Sequence, residues 1–346
     1  MPEVPYRNRR AVQIENDLVR VTVLVEGGHI AEILHKQTGV NPLWTPPWPS
    51  IEHSSYKPSQ HPEYGADAES KLLAGIMGHN LCLDLFGPPT AEEAAAGMTT
   101  HGEASTALYS ITADENELLA RAELPAAQLA FERRLRLTPG SAVLRIRETV
   151  ENLSALDRPS AWTQHVTLGP PFLEPASTQF RTPATLSSTR DAIHFNWPRL
   201  PHEDGSSEDL RVYPSAPVSN RVSAHLMDPG REQAFFLAFS PRAKTLFGYV
   251  WKQSDFPWLC LWDENGSRAA LPWGRRTLTR GLEFGVSPFP EPRRSMIDRK
   301  TLFGVPCYRW FPAKTKTSVE YCVFILQREE IPDEAQWDGS NVVILS

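Results

Sequence analysis

Apolar residues in this chain recur mainly at every second position. Leu129, Phe131, Leu135 and Leu137 fall on one register with Arg134 and Arg136 between them, and Leu144 and Ile146 alternate with Arg145 and Arg147. Val319, Tyr321, Val323 and Ile325 repeat the pattern near the end. Side chains of a strand point alternately to its two faces, so this period predicts strands with one buried face. Pro139-Gly140 supplies a turn between the first two. Val19–Val25, the glycines 27 and 28, and His29–Leu34 read as a hairpin whose second strand closes on Asn41–Trp44. Gln233–Phe239 and Thr245–Trp251 are short continuous apolar runs, the mark of strands covered on both faces. Asp255–Trp262 leads into a turn at Asp263–Gly266, and Thr279–Val286 forms one more strand before Ser287-Pro288.

Between these strands the pattern changes three times. Thr45–Tyr64 is dense in Pro, Ser and aromatic residues; it cannot be a central strand, and Trp48, Tyr56 and Tyr64 predict an ordered loop or lid packed over the surface. Leu72–Phe86 is apolar but carries Gly75, Gly78, His79, Asn80 and Asp84, polar groups that need buried partners or a ligand. Thr90–Gly97 is the clear helix signal, with Thr90 and Glu93 as the halves of a capping box and Gly97 as the stop. Ser187–Ser223 reads as irregular, its acids Glu203, Asp204, Glu208 and Asp209 forming a solvated loop. No repeat or linker divides the chain, which predicts one domain over residues 1–346.

Composition sharpens the fold class and narrows the partners. With 31 prolines and 20 glycines among 346 residues and little helical periodicity, the chain is cut into many short pieces, as in a sandwich or barrel. The net charge is −6 and the basic residues are scattered, which excludes a nucleic-acid footprint. Cys82, Cys260, Cys307 and Cys322 lie far apart without a CxxC pair and predict reduced thiols. The opening MPEVPYRNRR has no apolar run behind its charges and no stretch reaches membrane-spanning length, so the expectation is a cytoplasmic protein that does not enter membranes.

Three ionisable residues stand at strand ends bounded by Gly or Pro: His101 in HGE, His165 in AWTQHVTLGPPFL, and Glu283 in RGLEFGVSP. Glu283 projects to the face opposite Leu282 and Phe284. A carboxylate base and an imidazole acid suffice to move protons at a hydroxyl and an ether oxygen if both reach the substrate. A metal site would draw on His101, Glu103 and His165, whose spacing matches no standard ligand signature, and a glycosidase would need a second carboxylate beside Glu283.

Taken in order, these motifs resemble the aldose 1-epimerases, or galactose mutarotases, and their wider superfamily. The likeness lies in GGHIAEILHKQTGVNPLW as an opening hairpin, in His101-Gly102, in LRIRETVENLSALDRPSAWTQHVTLGPPFL as the strands around a catalytic histidine, and in RGLEFGVSP as the strand of a catalytic glutamate. The resemblance implies an all-β fold, a large antiparallel β-sandwich with an open concave face that receives a sugar. It implies that Glu283 is the general base at the anomeric hydroxyl, that His165 is the general acid at the ring oxygen, and that His101 holds the ring oxygen or a neighbouring hydroxyl. No metal or organic cofactor is then required, and the partner is a small carbohydrate. A non-catalytic carbohydrate-binding protein on the same fold is the alternative.

The chain departs from the family where an arginine usually follows the asparagine: here His79-Asn80-Leu81 stands, and Glu103 replaces the glycine after His-Gly. Asn80, His79 and Glu103 are nonetheless expected at the sugar, with Asp263 as the candidate sugar-binding aspartate. Trp162, Trp262 and Arg280, beside the matched motifs, are candidates for a stacking wall and a hydrogen-bond donor, with a purely structural role as the alternative for each.

Overall fold

The alternating runs at residues 129–152 form two strands, Leu129–Leu137 and Val143–Asn152, paired antiparallel with Phe131 opposite Val150 and Leu135 opposite Ile146. The computed structural model describes residues 2–215 and 218–345. Among them these two strands lie in an eight-stranded sheet, with Lys316–Gln327, Thr245–Lys252 and Gln233–Ser240 continuing it on one side. A second sheet has twelve strands. At its centre run, side by side, His79–Asp84, Arg158–Leu168, Leu278–Gly285, Trp258–Asn265, Ser219–Met227 and Ala184–Thr189. The protein is a large antiparallel β-sandwich, as expected.

The core fills the space between the sheets. Val21, Ile33, Leu83, Val166 and Phe284 of the larger sheet meet Phe131, Ile146, Tyr249 and Val323 of the smaller. Each such side chain removed from water contributes about 1.5–3 kcal/mol. The strand Arg158–Leu168 is buried from Ser160 onward, because its outer face is covered as well. That is why its sequence shows no alternation of apolar and polar residues.

The outer cover comes from the Pro- and Trp-rich stretch, which is ordered as expected. Trp48 donates from Nε1 to the Leu73 carbonyl at 2.8 Å, and the Tyr64 hydroxyl donates to the Pro49 carbonyl at 2.8 Å. Trp44 stacks on Trp273, ring centres 6.1 Å apart and 8° from parallel, while Trp48 meets both edge-on.

A buried polar cluster lies behind the His165 strand. Arg133 donates to Glu148 at 2.8 Å; Trp162 Nε1 and Gln164 Nε2 donate to the other Glu148 oxygen at 2.9 and 2.6 Å; Tyr321 donates to Glu148 at 2.9 Å. His79 bridges Gln164 and the Tyr249 hydroxyl at 2.9 and 3.0 Å. These bonds tie the two sheets together, and removing one partner would strand a charge in the interior.

The helix at Ala91–Ala95 has its full capping box. Two expectations are corrected. Residues 187–223, read as irregular, contain strand Ala184–Thr189, the short strands His194–Asn196, Arg199–Pro201 and Ser207–Asp209, and the start of Ser219–Met227. Two of the acids are paired, Glu208 with Arg221 and Asp209 with Arg211, so low apolar content did not mean absence of order. The turn expected at Asp263–Gly266 is instead strand through Asn265, because Asp263 is neutralised from neighbouring strands. The four cysteines are free and buried. No helix among the described residues is long and apolar enough to cross a membrane.

Candidate active site

Register across the larger sheet decides which side chains meet. His165 lies directly opposite Asn80 on one neighbouring strand and Glu283 on the other, and Glu283 lies opposite Cys260. Cross-strand partners share a face, so Asn80, His165, Glu283 and Cys260 form one row on the side away from the core. His165 Nε2 donates to Glu283 Oε1 across 3.0 Å. Both are almost fully buried, yet both line a cavity of about 410 Å³. The imidazole and carboxylate, 118 residues apart by their numbers (283 less 165), thus face one hollow.

Local sequence explains how each is held. Gly281 stands two residues before Glu283 on the same face; a Cβ there would lie 2.5 Å from Glu283 Oε1, so only glycine leaves the carboxylate its place. Gly285 makes the matching clearance on the other side, against Thr163 Oγ1 at 2.3 Å. His165 Nδ1 is 3.1 Å from Thr167 Oγ1. A hydroxyl can accept from or donate to that nitrogen, so Thr167 remains a partner whether the ring carries one proton or two.

His101 completes the floor from a loop. Its ring centre is 4.7 Å from that of His165, edge to face. The residue has φ +69° and is followed by Gly102 at φ +79°, where a Cβ would lie 2.1 Å from the Leu83 carbonyl; the His-Gly corner is locked against the end of the Asn80 strand. Nδ1 donates to the Phe86 carbonyl at 2.9 Å. Burial, with His165 beside it, holds this imidazole well below its ordinary pKa, so it is neutral with Nε2 as an acceptor. In that tautomer His101 can accept from a sugar hydroxyl and has no proton to offer a ring oxygen.

Of the other expected residues, Trp262 lines the cavity, with Trp273 edge-on to it at 6.0 Å. Asn80 sits in the floor row with neither amide atom partnered by protein. The remainder point elsewhere. His79 and Trp162 face the interior, where they join the Glu148 cluster, because neighbours on a strand alternate faces. Asp263 and Arg280 pair with each other at 2.7 Å on the inner face, with Arg221 on the same carboxylate. Burial alone would raise the Asp263 carboxyl, but the Arg280 and Arg221 guanidiniums outweigh it and hold the group below the usual carboxylate range. Glu103 receives the backbone N–H groups of Ala126 and Ala127 at 3.2 and 2.7 Å, which fixes a turn and keeps it out of any metal set with His101 and His165.

Sequence reading missed two arginines. Leu81, at the place where an arginine was wanting, lies in the core. The cavity instead receives Arg268 and Arg190 from other loops. Arg268 spreads over Trp273 at 4.5 Å and Trp262 at 5.6 Å and is 3.3 Å from Glu69. Neither lies in a strand or near a recognisable motif; only the fold brings them in.

The sequence model of a protein family described as a domain of unknown function, DUF4432, matches residues 8–271. The chain belongs to that family. No curated protein matches this DUF4432 chain. Solved structures do: a protein from Klebsiella pneumoniae subsp. pneumoniae called a "putative aldose 1-epimerase" is 15% identical, with a TM-score of 0.69 over 93% of this chain and 80% of that one. A galactose mutarotase-like protein from Clostridium acetobutylicum is 13% identical, TM-score 0.60, over 94% and 98%. A galactose mutarotase related enzyme from Lactobacillus acidophilus is 10% identical, TM-score 0.58, over 93% and 99%. At these identities the likeness establishes the fold of the DUF4432 chain, while its chemistry rests on its own residues.

Proposed function

We propose that this chain is an aldose 1-epimerase-type isomerase that interconverts the α and β anomers of an aldose or sugar derivative. The observation that carries this reading is the His165–Glu283 pair, bonded at 3.0 Å on the floor of a cavity of about 410 Å³ edged by Trp262 and Trp273. A sugar entering the cavity takes over that bond. Its anomeric hydroxyl donates to Glu283, and its ring oxygen accepts from His165 Nε2. Proton transfer along both contacts opens the ring, the bond beside the freed aldehyde rotates, and closure with the roles reversed gives the other anomer. Thr167 keeps the imidazole oriented throughout, and His101 Nε2 and the Asn80 amide accept from and donate to neighbouring hydroxyls. Every step is a proton transfer between groups of the chain and the sugar, so the reading calls for no metal or cofactor.

Anomer exchange, followed by polarimetry or saturation-transfer NMR over a panel of aldoses, tests this. Glu283→Gln and His165→Asn should each lower exchange by at least about 100-fold, the usual worth of a positioned acid or base, while leaving sugar binding within a few-fold. Binding of a sugar without exchange by the wild-type chain would replace the isomerase reading with that of a carbohydrate-binding protein.

A further inference from the structure

The charged groups around the cavity are not equally committed. Asp67 Oδ1 accepts from the backbone N–H groups of Glu69 and Ser70 and from the Ser70 hydroxyl, at 2.8–3.0 Å. Glu69 is held by Arg268 and Glu283 by His165. Arg268 has a second carboxylate, Glu264, at 3.7 Å. Arg190 differs: its guanidinium donates to the Pro290 carbonyl at 3.1 Å and has no carboxylate at ion-pair distance among the described residues.

Arg190 is an exposed residue on an ordered turn. It sits in the turn between Ala184–Thr189 and His194–Asn196, closed by Ala192 N–H to the Thr189 carbonyl at 3.2 Å and by Ile193 N–H to the Thr189 hydroxyl at 3.2 Å. Its strand lies three places from the Glu283 strand in the sheet, roughly 14 Å at ordinary strand spacing. Its side chain lines the same cavity as Val222, Trp262 and Glu283. Burial and the Glu283 carboxylate push the Cys260 thiol well above its ordinary pKa, and the Arg190 charge pulls it the other way; Cys260 is the cross-strand neighbour of Glu283. The reacting pair and this guanidinium thus border the same cavity of about 410 Å³.

We propose that the substrate is an acidic sugar, whose carboxylate or phosphate, remote from the anomeric carbon, is received by Arg190 while the anomeric end lies on His165 and Glu283. The inference rests on the isomerase reading for the placement of the anomeric end. A guanidinium presents a planar fork of donors suited to either oxyanion, and Arg190 is the cation at the cavity that no carboxylate of the described chain already answers. Val222 and Trp262, between the arginine and Glu283 in strand order, give the ring an apolar floor.

The test uses matched sets: D-glucose, D-glucuronate and D-glucose 6-phosphate, and the same three of the galactose series. Both exchange rate and binding are measured, the latter by calorimetry. At least one acidic member should exceed its neutral parent by ten-fold or more in kcat/KM, with the gain in KM and falling as salt is raised. Carboxylate against phosphate within each set distinguishes the two sources of the charge. Arg190→Gln should bring the ratio of acid to parent close to one, chiefly by raising KM for the acid, and Arg190→Lys should restore part of it. Neutral sugars that exchange as well as or better than their acids, or a ratio indifferent to Arg190→Gln, would overturn the proposal while leaving the isomerase reading in place. Acidic sugars that bind through Arg190 without exchanging would defeat the isomerase reading and, with it, the claim that the acidic sugar is a substrate, leaving only the Arg190 contact. If no member of either set binds, the acidic-sugar proposal fails.

Discussion

Acid should unfold this protein well above the pH at which its carboxylates titrate. Five histidines are buried in neutral form: His29 and His225, each lowered to about 3 by burial with nearby arginines opposing the charge, and His53, His79 and His101, each held well below the ordinary value mainly by burial. In the unfolded chain each regains a pKa near 6.5. The folded values are depressed, so the unfolded state binds the extra protons as pH drops below 6.5. Stability is then full above that pH and lost beneath it. One such group withdraws about 1.4 kcal/mol between pH 7.5 and pH 5.5, and five withdraw about 7 kcal/mol. That compares with a total of about 5–15 kcal/mol for ordinary proteins. Asp84 and Asp263, which burial alone would raise but which their arginines hold low, act in the same direction only as carboxylates begin to protonate. Urea unfolding followed by tryptophan fluorescence at pH 7.5, 6.5 and 5.5 isolates the histidines. His225→Gln, replacing a ring bonded to Ser187 and Ser223, should reduce the pH dependence by about one fifth whatever it does at pH 7.5. A loss below about 2 kcal/mol between pH 7.5 and 5.5 would refute the reasoning, since it would mean that the interior accepts these charges.

Three substitutions probe separate parts of the site. Gly281→Ala places a methyl 2.5 Å from Glu283 Oε1 and should cut anomer exchange at least about ten-fold with an unchanged circular dichroism spectrum, measured beside Glu283→Gln. Glu103→Ala frees the Ala126 and Ala127 amides; it should cost about 1–3 kcal/mol in urea unfolding and leave sugar affinity alone. Arg280→Leu leaves Asp263 with Arg221 alone in a buried setting and should cost about 3–5 kcal/mol, again read by denaturation.

The strands were legible wherever one face meets water, as at Leu129–Leu137, because there alternation is written into the residues. His165 and Glu283 were legible because Gly and Pro punctuate their strands. Which face a residue takes was not legible where both faces are covered. His79 and Asn80 are adjacent and equally polar, yet one belongs to the interior cluster and the other to the floor beside His165; nothing short of register separates them. The same ambiguity sent Trp162 inward and Trp262 outward. Arg133 lay hidden for the opposite reason: it occupies a core position amid leucines and is tolerated by Glu148, 15 residues on in the numbering. Arg190 and Arg268 carry no local signal at all, since a loop residue's neighbours are chosen by the chain's return path.

The floor of the cavity is drawn from adjacent strands of the larger sheet, those bearing His165, Glu283, Trp262 and Val222, while its rim comes from excursions: the 45–78 segment, the turn bearing Arg190 and the loop bearing Arg268 and Trp273. Chemistry and selectivity are thereby mechanically uncoupled. If the isomerase reading holds, such a scaffold can take another sugar by rebuilding its rim, with His165 and Glu283 left undisturbed.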